Sequence, residues 1–138
     1  RATLRKRLQQ MLAASRRDLH DLDCLHQLRV AAKRLRYAME VFAACYPPAF
    51  QHELYVEVER VQEDLGTIND LRNLKATLLH RDTEPLSQLS RDVDRDLRKL
   101  QIQFLHRWSR RKHAKFHRRF EELLKGSSRR VAAAREHR

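Results

Sequence analysis

The residues best suited to chemistry lie in one short run, His26-Gln27-Leu28-Arg29-Val30-Ala31-Ala32-Lys33-Arg34-Leu35-Arg36-Tyr37. On a helix advancing ~100° per residue, with His26 at zero, Arg36, Arg29, Lys33, His26 and Tyr37 fall between about 280° and 20°. Arg34 stands on their flank near ~80°. Leu28, Leu35, Met39 and Phe42 fall within about 60° of one another on the opposite side. Positive groups at i,i+3 and i,i+4 repel and weaken the helix that carries them, and only Glu40 interrupts the row. An anion lying along the helix would relieve that repulsion. Guanidinium forks grip phosphate oxygens in pairs, while lysine acts as a point charge. His26 is expected in the first turn of its helix, where N–H groups and the dipole favour an anion. A nearby anion favours charged histidine, so binding should tighten as the pH falls from about 8 to about 6. A solvated basic face is the plain alternative, and spacing alone does not decide between them.

A second row favours the binding reading. With Val93 at zero, Leu97, Leu100, Phe104 and Trp108 cluster between about 340° and 60°. Arg95, Lys99, His106, Arg110, His113 and His117 cluster between about 200° and 260°. If the two helices are neighbours, their basic faces line one groove. His113 and His117, spaced i,i+4, could ligate a metal, but Lys112, Lys115 and Arg118 would repel a cation. Asp18, Asp21 and Asp23 beside His20 are better explained by helix capping. No nucleophile elbow, glycine-rich phosphate loop or zinc motif is present, and 2 glycines cannot build a backbone cradle. The pattern points to a binder without catalytic residues, metal or cofactor.

Composition sets the frame for these rows. The 138 residues suffice for one domain. Hydrophobic residues make up 41% of the chain, enough to argue against disorder throughout. Scarce glycine (2) and proline (3) remove the turns that many short strands need, so the fold class is all-α. The formal net charge of +12 is unevenly spread. Residues 1–50 carry +6, residues 51–82 carry −3 and residues 83–138 carry +9. Such a field draws polyanions: nucleic acid, anionic membrane or inorganic phosphate chains. No apolar run approaches the ~20 residues that span a bilayer, and the first residues lack the apolar core of a secretory signal. Cys24 and Cys45 lie too far apart on one helix for a disulfide. Both are expected to be inert core thiols, and the setting reducing and cytoplasmic.

Four helical segments must position these residues. The first covers roughly residues 2–20, with Leu4, Leu8, Met11, Leu12 and Leu19 on its apolar stripe. Asp23 is expected to cap a second helix from about Cys24 to Cys45, ended by Pro47-Pro48. A third carries Leu54, Val58, Val61, Leu65 and Ile68, with a bend or a change of packing partner near Gly66. A loop at residues 80–85, capped by Thr83 or Glu84, opens a fourth helix that Gly126 ends near Lys125. The expected architecture is a four-helix bundle of long helices over residues 1–126. A basic tail over 127–138 is expected to be frayed or disordered.

The run His26-x-Leu28-Arg29-Val30-x-x-Lys33-Arg34-Leu35-Arg36-Tyr37-x-x-Glu40-x-Phe42 resembles the signature of the CHAD family, the conserved histidine α-helical domains. Val61-Gln62-x-x-Leu65-Gly66-x-x-Asn69-Asp70 is similar to the second marker of that family. The resemblance implies a half of a CHAD-like helical domain that binds inorganic polyphosphate through His26, Arg29, Lys33, Arg34 and Arg36. The second row adds Arg95, Lys99 and Arg110. Tyr37 matches the motif as either a packing or a ligand residue. Asn69 and Asp70 match the second marker, read as an acid pairing with a neighbouring arginine. Family members usually carry two signature-bearing halves around a channel, whereas this sequence carries a single copy. That implies a fragment or a homodimer that rebuilds the channel. The expected location extends to polyphosphate granules in the cytoplasm. A general nucleic-acid-binding helical protein is the alternative reading.

Overall fold

The computed structural model describes the backbone of residues 1–79 and 84–136, and the side chains through residue 126. Five α-helices form, α1 (Ala2–Ser15), α2 (Leu22–Phe42), α3 (Val56–Leu78), α4 (Glu84–Arg107) and α5 (Arg110–Glu136), and no strand occurs among the described residues. A 3-10 turn at Ala43–Cys45 follows α2, and a π-helical segment at Phe50–Tyr55 leads into α3. The all-α expectation holds.

These segments make four antiparallel rods. Contacts of α1 with α2, α2 with α3, and α3 with α4 form successive sides. The fourth rod is α4 followed by α5. Its α4 half pairs with α3 through Asp64–Arg107 at 3.1 Å and Lys75–Asp94 at 2.5 Å. Its α5 half closes the ring, through Arg5–Glu121 at 3.2 Å onto α1 and Arg119–Glu53 at 2.6 Å onto the π segment. Inside lie Leu4, Leu8 and Met11 of α1, Leu28, Leu35 and Met39 of α2, and Leu54, Val58 and Leu65 from the third rod. Phe104, Phe116 and Phe120 fill the fourth side, with Phe120 edge-on to Phe50 at 5.6 Å.

Several boundaries differ from the sequence reading. Helix α1 stops at Ser15, although Leu19 beyond it is still buried. Asp21, not Asp23, caps α2, its carboxylate accepting from the backbone N–H of Asp23 at 2.7 Å and of Cys24 at 3.4 Å. Asp23 instead pairs with Arg72 of α3. Tyr46, which precedes Pro47, is extended at φ −125 and ψ 159, as the proline ring requires. Helix α3 runs through Gly66 without a break. Leu78 is buried but outside the main cluster, as is Val93 of α4. The expected single fourth helix is interrupted at Trp108–Ser109 and then passes Gly126 to Glu136. Glycine there does not end it. Glu84 is already the first residue of α4, and the expected loop residues 80–83, including the Thr83 cap, lie outside the described residues. Cys24 is half-buried and Cys45 exposed, with no disulfide between them, so Cys45 is not a core thiol.

Candidate polyanion-binding site

Helix α2 buries Leu25, Leu28, Ala32, Leu35 and Met39 and so turns its basic row towards the seam with α3. The register of that seam is fixed at both ends. His26 Nδ1 lies 3.3 Å from Asn69 Oδ1, and the Tyr55 hydroxyl donates to Glu40 at 2.7 Å. Between these two pairs, the antiparallel register sets Arg29 opposite Gly66, Lys33 opposite Gln62 and Arg36 opposite Glu59. From the end of the π segment along α3, residues 55, 59, 62, 66 and 69 recur at helical spacing and share one face. Both motifs noted in the sequence therefore meet along a single groove.

The side chains of the row are held in different ways. Arg29 and Arg36 are half-buried, and in each the Nε is buried without an acceptor. Their outer guanidinium nitrogens reach solvent and have no acceptor among the described residues. Gln62 Oε1 is likewise buried and unpaired on the facing helix. Lys33 and Arg36 both stand over the Tyr37 ring, at 5.7 Å and 5.1 Å from its centre. That ring is 46% exposed, so Tyr37 acts as a rest for two cations rather than as core. His26, Lys33 and Arg34 are exposed, Arg34 on the outer flank.

Acids close one end of the groove. Arg36 Nε stands 3.9 Å from Glu40, an ion-pair distance too long for a hydrogen bond. The hydrogen bond to Glu40, then burial, then the charges of Glu40 and Glu59, raise the Tyr55 phenol above its ordinary range. The positive potential therefore runs from His26 to Arg36 and ends at Glu40 and Glu59.

Two expectations about this site change. His26 is not in the first turn of α2, and the N–H groups there are already served by the Asp21 carboxylate. Any anion must be held by side chains. The second basic row does not complete the groove, because α4 packs on α3 and has no substantial contact with α2 among the described residues. Arg95 is exposed and lies 3.5 Å from Asp92 and 3.8 Å from Asp96. Lys99 is exposed, and Arg110 stands at the start of α5, beyond the break. Sequence reasoning missed Gln62, Gly66 and Asn69 as the second wall, although their 4- and 3-residue spacing already placed them on one face. Asp70 is exposed and forms no ion pair among the described residues; Asn69 makes the link to the signature helix instead.

The CHAD domain profile matches residues 1–79, which spans α1, α2, the π segment and α3. The chain belongs to the CHAD family. The match contains the whole α2–α3 groove of this CHAD chain and leaves α4 and α5 outside it. The family is associated with polyphosphate binding and is generally a binding domain. No curated protein and no solved structure was found to match the chain. No group of three or more metal-ligating side chains occurs among the described residues, and no helix searched is long and apolar enough to cross a membrane.

Proposed function

We propose that this CHAD chain is a non-catalytic binding module for inorganic polyphosphate, which lies along the groove between α2 and α3. One observation carries the reading: Arg29 and Arg36 each bury an Nε in the seam that has no hydrogen-bond acceptor among the described residues. They sit seven residues apart, so the two forks stand roughly 10 Å apart on one face. That spacing suits a ligand with repeated negative charge better than a single small anion. Lys33, His26 and Arg34 supply further charge along the same helix. Arg95 and Lys99 on α4 contribute to the field rather than to the groove. The module would hold or recruit protein at polyphosphate, for which the cytoplasm and its granules are the expected place.

If His26, Arg29, Lys33 and Arg36 each release one counterion, affinity should fall by about three decades per decade of added salt. Competition of long-chain polyphosphate with RNA, at equal phosphate concentration, separates this reading from general nucleic-acid binding. Polyphosphate should displace RNA and RNA should fail to displace polyphosphate. Equal displacement in both directions would overturn the assignment of ligand.

A further inference from the structure

The break between α4 and α5 opens a cavity of about 700 Å³ against the end of α1. Arg16 and Arg17 line it from the α1 side, and Arg110 from the start of α5. None of the three forms an ion pair or a side-chain hydrogen bond with a described residue, unlike Arg107, which pairs with Asp64, and Arg119, which pairs with Glu53. Asp18 is the acid on the cavity wall, and its carboxylate is engaged by the backbone N–H of His20 at 3.0 Å.

Helix dipoles explain only part of this arrangement. Arg16 and Arg17 follow the C-terminal end of α1, where cations are favoured. Arg110, Arg111 and Lys112 stand the wrong way round, filling the first turn of a 27-residue helix that has no acid there. The first N–H groups of a helix lack intrahelical acceptors and add to the same positive field. Trp108 forms part of the cavity wall; it is 8% exposed, and its buried Nε1–H finds no acceptor. The neighbouring cavity of about 580 Å³, between α3 and the α4–α5 rod, also carries an excess of cations through Lys112 and Lys115, but its arginines are all paired. There Arg60, Arg107 and Arg119 are matched by Glu57, Asp64 and Glu53.

The geometry points to a second oxyanion site in the larger cavity, one that takes a phosphate group between Arg16, Arg17 and Arg110. It shares no residue with the α2–α3 groove and does not depend on the reading of that groove. The phosphate group can arrive on a free short oligophosphate or at the end of a long chain.

Trp108 is the sole tryptophan and lines both cavities, so its emission reports on a ligand in either, and the arginine variant below assigns the signal. The full chain is titrated with tripolyphosphate and, separately, with long-chain polyphosphate. A saturable emission change is expected, with its midpoint raised at least about five-fold in the Arg16→Gln/Arg110→Gln variant. Both positions are exposed, so the variant should fold, and its melting curve checks that. With tripolyphosphate, the Arg29→Gln/Lys33→Gln variant should keep the wild-type midpoint. A signal given only by the long chain, lost in Arg16→Gln/Arg110→Gln and kept in Arg29→Gln/Lys33→Gln, supports the site with a chain end as its source. One lost in Arg29→Gln/Lys33→Gln alone would overturn it. No emission change with either ligand up to about 10 mM, far weaker than any specific site, would overturn the proposal. So would an unchanged midpoint in Arg16→Gln/Arg110→Gln.

Discussion

A buried donor without an acceptor costs about 1–3 kcal/mol, and the α2–α3 seam carries two, the Nε groups of Arg29 and Arg36. Folding alone gives no reason to keep them, whereas holding two guanidinium forks at fixed height does. Tyr37 serves the same end, since its exposed ring is within cation–π range of both Lys33 and Arg36. His113 obeys a different constraint. Burial first, and then the charge of Arg16, hold its pKa below the ordinary 6.5, while a backbone hydrogen bond to Leu12 opposes them and His117 adds a small lowering. The unfolded chain therefore binds a proton at His113 more readily than the folded one. Its contribution to stability is complete above about pH 6.5 and is lost as the pH falls through the depressed folded value. Thermal melts from pH 7.5 to pH 5 should show a smaller fall in Tm for His113→Gln than for the wild type. Parallel curves would show that His113 does not titrate in this range.

Gly66 carries the argument to the scale of the element. A glycine inside a helix costs about 0.5–1 kcal/mol relative to alanine. Here the backbone gives no reason for it, because no glycine has positive φ and a Cβ at Gly66 would meet nothing within 4 Å. The register sets that open space opposite Arg29, on the face of α3 that lines the groove. Gly66→Ala should therefore raise Tm by about 2–4 °C and weaken polyphosphate binding several-fold. A gain in stability with unchanged affinity would make Gly66 irrelevant to the ligand. Helix faces of this kind were readable from the sequence: the Leu28–Leu35–Met39 side of α2 is buried and the Arg29–Lys33 side lies at the surface, as a 3.6-residue period dictates. Ends were less readable. Asp21 and Asp23 are both competent caps, and only the reach of Arg72 to Asp23 decides between them. The break at Trp108–Ser109 has no glycine or proline to announce it, and Gly126, which would have been the natural stop, lies inside α5.

Topology decides what the whole molecule can bind. Local periodicity marked two basic faces, but whether they meet depends on the order of the rods, which no local pattern encodes. In the ring of four rods, α2 has α1 and α3 beside it, and so the acidic middle third of the chain supplies the second wall of the groove. That wall brings Asn69 and Gln62, and its Glu59 sets the end of the positive track. A single signature leaves α2 with an outer surface bearing Tyr37 at 46% and Val41 at 75% exposure. If a second copy of the chain docked there, bringing a second signature helix beside the first, light scattering would give twice the 16.6 kDa chain mass. A chain-sized mass with undiminished affinity would confine binding to one chain. The central claim rests on the α2–α3 groove, and polyphosphate affinity of the Arg29→Gln/Lys33→Gln variant tests it most directly. At least a tenfold loss of affinity, about 1.4 kcal/mol or more, is expected with Tm within about 2 °C of wild type. Wild-type affinity in a folded double variant would contradict it.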